Sequence, residues 1–114
     1  MNIATYFEIK YELELMKREL KARLKQEQNR LYRMETSEEY GLVMSEEEAK
    51  RKKTLLHHIQ EDLKDVERAL LKMEIGMYGV CEETGKLLPL EQLRIMPTAR
   101  TANELLYERL KKTV

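Results

Sequence analysis

Cys81 is the only cysteine in this 114-residue chain, which excludes an intrachain disulfide framework and fits a reducing cytosol. Aromatic side chains are scarce at 6%, with no tryptophan, whereas charged residues make up 37%. That is too little apolar bulk for a thick globular core, and a Glu/Lys/Leu-rich composition suits long helices packed as a coiled coil. The expectation is one elongated domain. No apolar run is long enough for a signal peptide or a membrane span, so a soluble cytoplasmic chain without a membrane partner is expected. Neither sign of charge is in excess, with 21 basic against 21 acidic residues, which argues against a general nucleic-acid binder and against a polyacidic tail.

Glycine and proline are also few, four and two, and their distribution organises the chain. Three of the glycines and both prolines fall between Gly76 and Ala99, so this stretch must bend while its neighbours run straight. Upstream, about Thr5 to about Glu35 has no Gly or Pro and is made of good helix formers. Tyr6, Ile9, Leu13, Met16, Leu20, Leu24, Leu31 and Met34 recur at steps of three and four, with a polar gap at Glu27 and Gln28, the pattern of an amphipathic helix with a narrow seam. From Ser45 to about Ile75, the residues Leu56, Ile59, Leu63, Val66, Leu70 and Met73 form an unbroken heptad seam. Ser45 and Glu48 make a capping box at its start. Each helix is roughly 45 Å long at 1.5 Å per residue. A short link centred on Ser37 to Met44, with Gly41 as the reversal, folds the two back as an antiparallel hairpin. Thr36 and Glu39 form a second candidate capping box, so the first helix stops before it or runs through to Tyr40.

Charge at the hairpin tip is segregated. Glu35, Glu38, Glu39, Glu46, Glu47 and Glu48 gather there, with a collar of Arg30, Arg33, Lys50, Arg51, Lys52 and Lys53 behind them. Helix-dipole complementarity alone accounts for Glu46 to Glu48, and leaves Glu38 and Glu39 without a local reason. After the bent stretch, Thr101 and Glu104 make a capping box for a C-terminal helix with Leu105, Leu106 and Leu110 on its apolar face. That helix is expected to cover Met73, Ile75, Leu87, Leu88, Leu90, Leu93 and Ile95. The fold class is therefore mainly all-α: a coiled-coil hairpin over 1–75 with its tip near 36–45, and a small knuckle with a C-terminal helix over 76–114.

Catalytic constellations are absent from the sequence pattern, and no enzyme is expected. His57 and His58 are adjacent on a helix, pointing about 100° apart, and read as a solvated flank rather than a metal pair. Cys81 has no histidine near it in sequence, and Gly76, Gly79 and Gly85 lack phosphate-loop spacing.

The knuckle carries a family resemblance. Its run Gly-x-Tyr-Gly-x-Cys-x-x-x-Gly, then Leu-Pro, then Leu-x-x-x-Pro-Thr-Ala, resembles the C-terminal zinc-finger segment of the DksA/TraR family of RNA polymerase regulators. That family holds zinc with two Cys-x-x-Cys pairs, and the four positions fall here on Cys81, Thr84, Ala102 and Leu105. One cysteine remains, whereas a structural zinc site needs four donors, so the expectation is a degenerate finger with no metal and no other cofactor. Leu105 at a former ligand position would add apolar burial of about 1.5–3 kcal/mol. A structural zinc site is worth roughly 10–16 kcal/mol in finger peptides, so the hairpin seam must supply the remainder.

The resemblance implies a transcription regulator that binds bacterial RNA polymerase directly, inserting the coiled-coil tip into the secondary channel without sequence-specific DNA binding. Acidic tip residues act there in the family, through an Asp-x-x-Asp-x-Ala motif, where this chain has Ser37-Glu38-Glu39-Tyr40-Gly41-Leu42. The corresponding candidates are Glu35, Glu38, Glu39 and Glu46 at the tip, with Arg33, Lys50, Arg51 and Lys53 in a collar facing acidic channel surfaces. A monomer is expected. The alternative is a coiled-coil adaptor or oligomerisation module that has left the polymerase, its seam engaging another chain. A metal or redox role at Cys81 is a third, weaker reading.

Overall fold

The computed structural model describes residues 1–36 and 45–104, with side chains at all of these except 34–36. Its helices are α1 over Ile3–Thr36, α2 over Glu46–Glu74 and α3 over Leu90–Ile95, and the backbone is helical again over 102–104. Among the described residues there is no strand, only an isolated antiparallel bridge between Val80 and Leu87. The chain forms a long antiparallel two-helix coiled-coil hairpin with a small knuckle.

Each helix end is defined by local chemistry. Asn2 caps α1, its Oδ1 accepting from the Thr5 amide at 2.8 Å. Ser45 caps α2, its Oγ accepting from the Glu48 amide at 3.1 Å, and Glu46, Glu47 and Glu48 fill the first turn where the helix dipole favours negative charge. The end of α2 is a Schellman closure. The Met77 amide reaches back to the Lys72 carbonyl at 2.8 Å and the Gly76 amide to Met73 at 3.4 Å, with Gly76 at φ 74°. Pro89 precedes α3 with extended backbone, its carbonyl accepting from the amides of Gln92 and Leu93.

Two compact units contain these elements. One comprises Met1–Leu15 with Val66–Val114, the other Met16–Asp65. In the first, Tyr6 Oη donates to the Met73 carbonyl at 3.3 Å, so the beginning of α1 runs beside the end of α2 in the antiparallel sense. The core of this unit gathers Thr5, Ile9, Leu13, Val66, Ala69, Met73, Cys81, Leu88, Leu93 and Ala99, all buried. In the second unit, Ile59 is buried, while Leu20, Leu24, Leu31, Leu56 and Leu63 are half-buried. A helix with one partner helix shields only a stripe of its surface, whereas the first unit gains a third wall from the knuckle.

The apolar residues expected beneath the C-terminal helix divide. Met73, Leu88 and Leu93 are buried and Leu90 is half-buried, but Ile75, Leu87 and Ile95 are exposed at 63%, 79% and 58%. Ile75 and Ile95 each lie two residues beyond a buried neighbour, about 200° around a helix. Leu87 sits on the extended bridge, where adjacent side chains point to opposite faces and Leu88 takes the inner one.

Candidate functional site

The knuckle is built by glycines and short backbone bonds. Gly79 and Gly85, with φ of 85° and 72°, occupy the left-handed region that other residues rarely adopt. They allow the Cys81 amide to donate to Lys86 O at 2.8 Å, Gly85 to Cys81 O at 2.8 Å, and Leu88 to Gly79 O at 2.7 Å. The Glu82 amide donates to Arg100 O at 2.8 Å, tying this loop to the segment before the C-terminal helix. Tyr78 spans the same gap, its hydroxyl donating to Pro97 O at 2.8 Å; burial, with Glu12 adding, holds that phenol well above its ordinary range.

Cys81 is buried, at 2% exposure. The nearby Thr84 hydroxyl, then the amides of Ala102, Thr84 and Glu83, favour its thiolate and bring the thiol down to about 7 against the opposing effect of burial. Three of the four finger positions, Cys81, Thr84 and Ala102, therefore lie together, while Leu105 falls outside the described residues. The donor set does not fit zinc: Ala102 and Leu105 carry no ligand atom, and the described residues contain no cluster of His, Cys, Asp and Glu suited to a metal.

The carboxylates beside Cys81 are engaged elsewhere. Glu82 meets Lys72 Nζ at 2.7 Å and the Arg100 guanidinium at 2.7 and 2.9 Å, and these partners, Arg100 first, hold its carboxyl down at about 2. Glu83 accepts from Asn103 at 3.2 Å. Glu104 accepts from the Arg100 amide at 2.6 Å while its own amide donates to Thr101 Oγ1 at 3.3 Å, a variant of the capping box in which the carboxylate reaches one residue further back. Elsewhere in this unit, Arg94 donates to Thr5 Oγ1 at 3.1 Å and lies 3.6 Å from Glu8, giving the buried threonine a partner.

In the other unit, the candidates at the hairpin end are distributed as follows. Glu46 opens α2 and is exposed. Glu35 is on α1 by its backbone, and Glu38 and Glu39 fall outside the described residues. Arg33, Lys50, Arg51 and Lys53 are all exposed and make no ion pair among the described residues, whereas Arg30 pairs with Glu27 at 3.4 Å. His57 and His58 are both exposed, their ring centroids 6.2 Å apart. No helix among the described residues is long and apolar enough to cross a membrane.

Sequence reasoning missed three features. The Lys72–Glu82–Arg100 cluster joins residues ten and eighteen positions apart in no repeating pattern, so nothing in one sequence marks it. Helix α3 had a signal, since a proline followed by leucines three apart is a helix start. The third is an exposed apolar ladder on α1, Ile3, Phe7, Tyr11 and Leu15, at 75%, 57%, 62% and 39% exposure. Its spacing of four was visible in the sequence beside the seam.

No protein-family model matches the chain. The uncharacterized protein YlyA of Bacillus subtilis is 46% identical over 96 residues, covering 84% of this chain and 72% of YlyA. General stress protein 16O of the same organism is 51% identical over 45 residues, which is 40% of this chain and 28% of that protein. Among solved structures, transcription factor DksA2 from Pseudomonas aeruginosa superposes with a TM-score of 0.79 at 30% identity, covering 99% of this chain and 88% of DksA2. With hairpin and knuckle both included in that match, the chain belongs to the DksA-like family.

Proposed function

We propose that this protein is a non-enzymatic transcription regulator that binds bacterial RNA polymerase directly, inserting its coiled-coil tip into the secondary channel without sequence-specific DNA binding. The observation that carries the reading is the near-complete match to a protein described as a transcription factor, 30% identical over 99% of this chain. Supporting it, the start of α2 presents charge to a partner, with Glu46 first, then Lys50, Arg51 and Lys53, all exposed. In this reading Glu35, Glu38, Glu39 and Glu46 bring negative charge toward the catalytic centre. The collar of Arg33, Lys50, Arg51 and Lys53 meets acidic channel walls, where desolvated complementary charge raises both encounter rate and specificity. A polymerase partner places the protein in the cytoplasm.

Binding of the purified protein to polymerase core enzyme tests this, with a competitor that occupies the secondary channel. The expected result is competitor-sensitive binding that Lys50→Glu with Arg51→Glu weakens by about tenfold or more, with a shallower salt dependence. Absence of binding by folded protein at micromolar concentration overturns it.

The exposed α1 ladder favours a second reading, a coiled-coil adaptor that uses this face for another chain. Sedimentation separates the two: a monomer mass at every concentration belongs to the polymerase regulator, and a stable dimer to the adaptor.

A further inference from the structure

We propose that the Lys72–Glu82–Arg100 ion cluster is the closure of the knuckle, joining without zinc the two segments that a finger's metal would join. In a metal finger, the loop bearing the first ligand pair and the helix start bearing the second are held together through the ion. Here those segments are 81–84 and 102–105, and the metal has no ligand set, because two positions carry no donor and Glu82, Glu83 and Glu104 are each bonded to another group. The loop is nevertheless tied three times to residues 100–103, which lead into and open the second segment. The Glu82 carboxylate holds the Arg100 side chain at 2.7 Å, the Glu82 amide donates to Arg100 O at 2.8 Å, and Asn103 donates to Glu83.

Lys72 extends the closure to a third element. Its Nζ lies 2.7 Å from Glu82 Oε1, at the end of α2, and its side chain is only 17% exposed. One carboxylate thus links the last turn of α2, the knuckle loop and the approach to the C-terminal helix. Its two oxygens are divided between the two cations, Oε1 to Lys72 and Oε2 to Arg100. Removing the carboxylate releases both contacts together, as removing a metal would. With the carboxylate side chain 34% exposed and Arg100 43% exposed, water and salt reach the cluster. Its role is accordingly to fix the geometry of the closure, while the buried Cys81, Leu88, Leu93 and Ala99 anchor the knuckle to the core. A knuckle closed this way is indifferent to chelators and sensitive to ionic strength, the reverse of a zinc finger.

The test is hydrogen exchange on the full chain, read at the amides of Cys81, Glu82, Gly85 and Leu88, with metal content measured on the same sample. The expected results are less than about a tenth of an equivalent of zinc and no change in exchange on adding a chelator. Exchange at those amides should be about tenfold faster in Glu82→Gln, with amides of 50–65 unchanged. Lys72→Met should act in the same direction, and the double variant should lose less than the two single losses combined. Zinc near one equivalent, or acceleration by the chelator, overturns the proposal. If Glu82→Gln does not fold, the wild-type chain in 1 M NaCl decides, because screening at about 3 Å acts on the cluster without any substitution. Exchange within twofold of its low-salt rate at all four amides would then contradict it.

Discussion

Glu82 is the residue whose ionisation matters most to the knuckle. Arg100 and Lys72 lower its folded value from 4.5 to about 2, so its pairing stabilises the fold in full above pH 4.5 and is lost as pH falls from there through about 2. Urea midpoints measured from pH 7 to pH 2 should therefore fall on the acid side for the wild type. Glu82→Gln should start lower, by about 1 kcal/mol for a partly exposed network, and change less over that window. Gly79→Ala tests the backbone of the same loop. At φ 85°, with a new Cβ 3.4 Å from Leu93 Cδ1, alanine should cost about 1–2 kcal/mol by thermal or urea unfolding. The glycine positions were legible in the sequence because bends need them. Glu82 was not, because an ion pair formed across the fold leaves no periodic trace.

The seam decides stability at the scale of the helices. Leu13 is fully buried, and Leu13→Ala should cost about 2–5 kcal/mol in chemical denaturation, whereas the neighbouring Tyr11→Ser, on the exposed ladder, should stay within about 0.5 kcal/mol. Ser45→Ala should lower stability by about 1 kcal/mol through loss of the α2 cap. These elements were readable in advance because an apolar repeat at three and four and a Ser-x-x-Glu start each have one structural meaning. Ile59, Val66 and Met73 are buried where the heptad put them. The same rule failed for Ile75, Leu87 and Ile95, since apolar identity alone does not say which side of a turn a residue faces. Helix α3 went unread because six residues give too short a window for periodicity to stand out from a turn-rich background.

For the molecule as a whole, the proposed function requires the hairpin end to enter the secondary channel of RNA polymerase. The family resemblance was legible in the Gly-x-Tyr-Gly-x-Cys spacing, and the match to DksA2 over 99% of the chain extends it to the whole fold. The function could not be read from composition, because balanced charge and a plain heptad suit many coiled coils equally well. The most direct measurement uses the polymerase's own metal site: iron replaces the catalytic magnesium in the core enzyme, hydroxyl radicals are generated there, and cuts in the bound protein are mapped. Cleavage confined to 34–48, abolished by a secondary-channel competitor, is the predicted result. Binding without cleavage in that stretch, or with cuts centred on the knuckle, would contradict insertion by the tip.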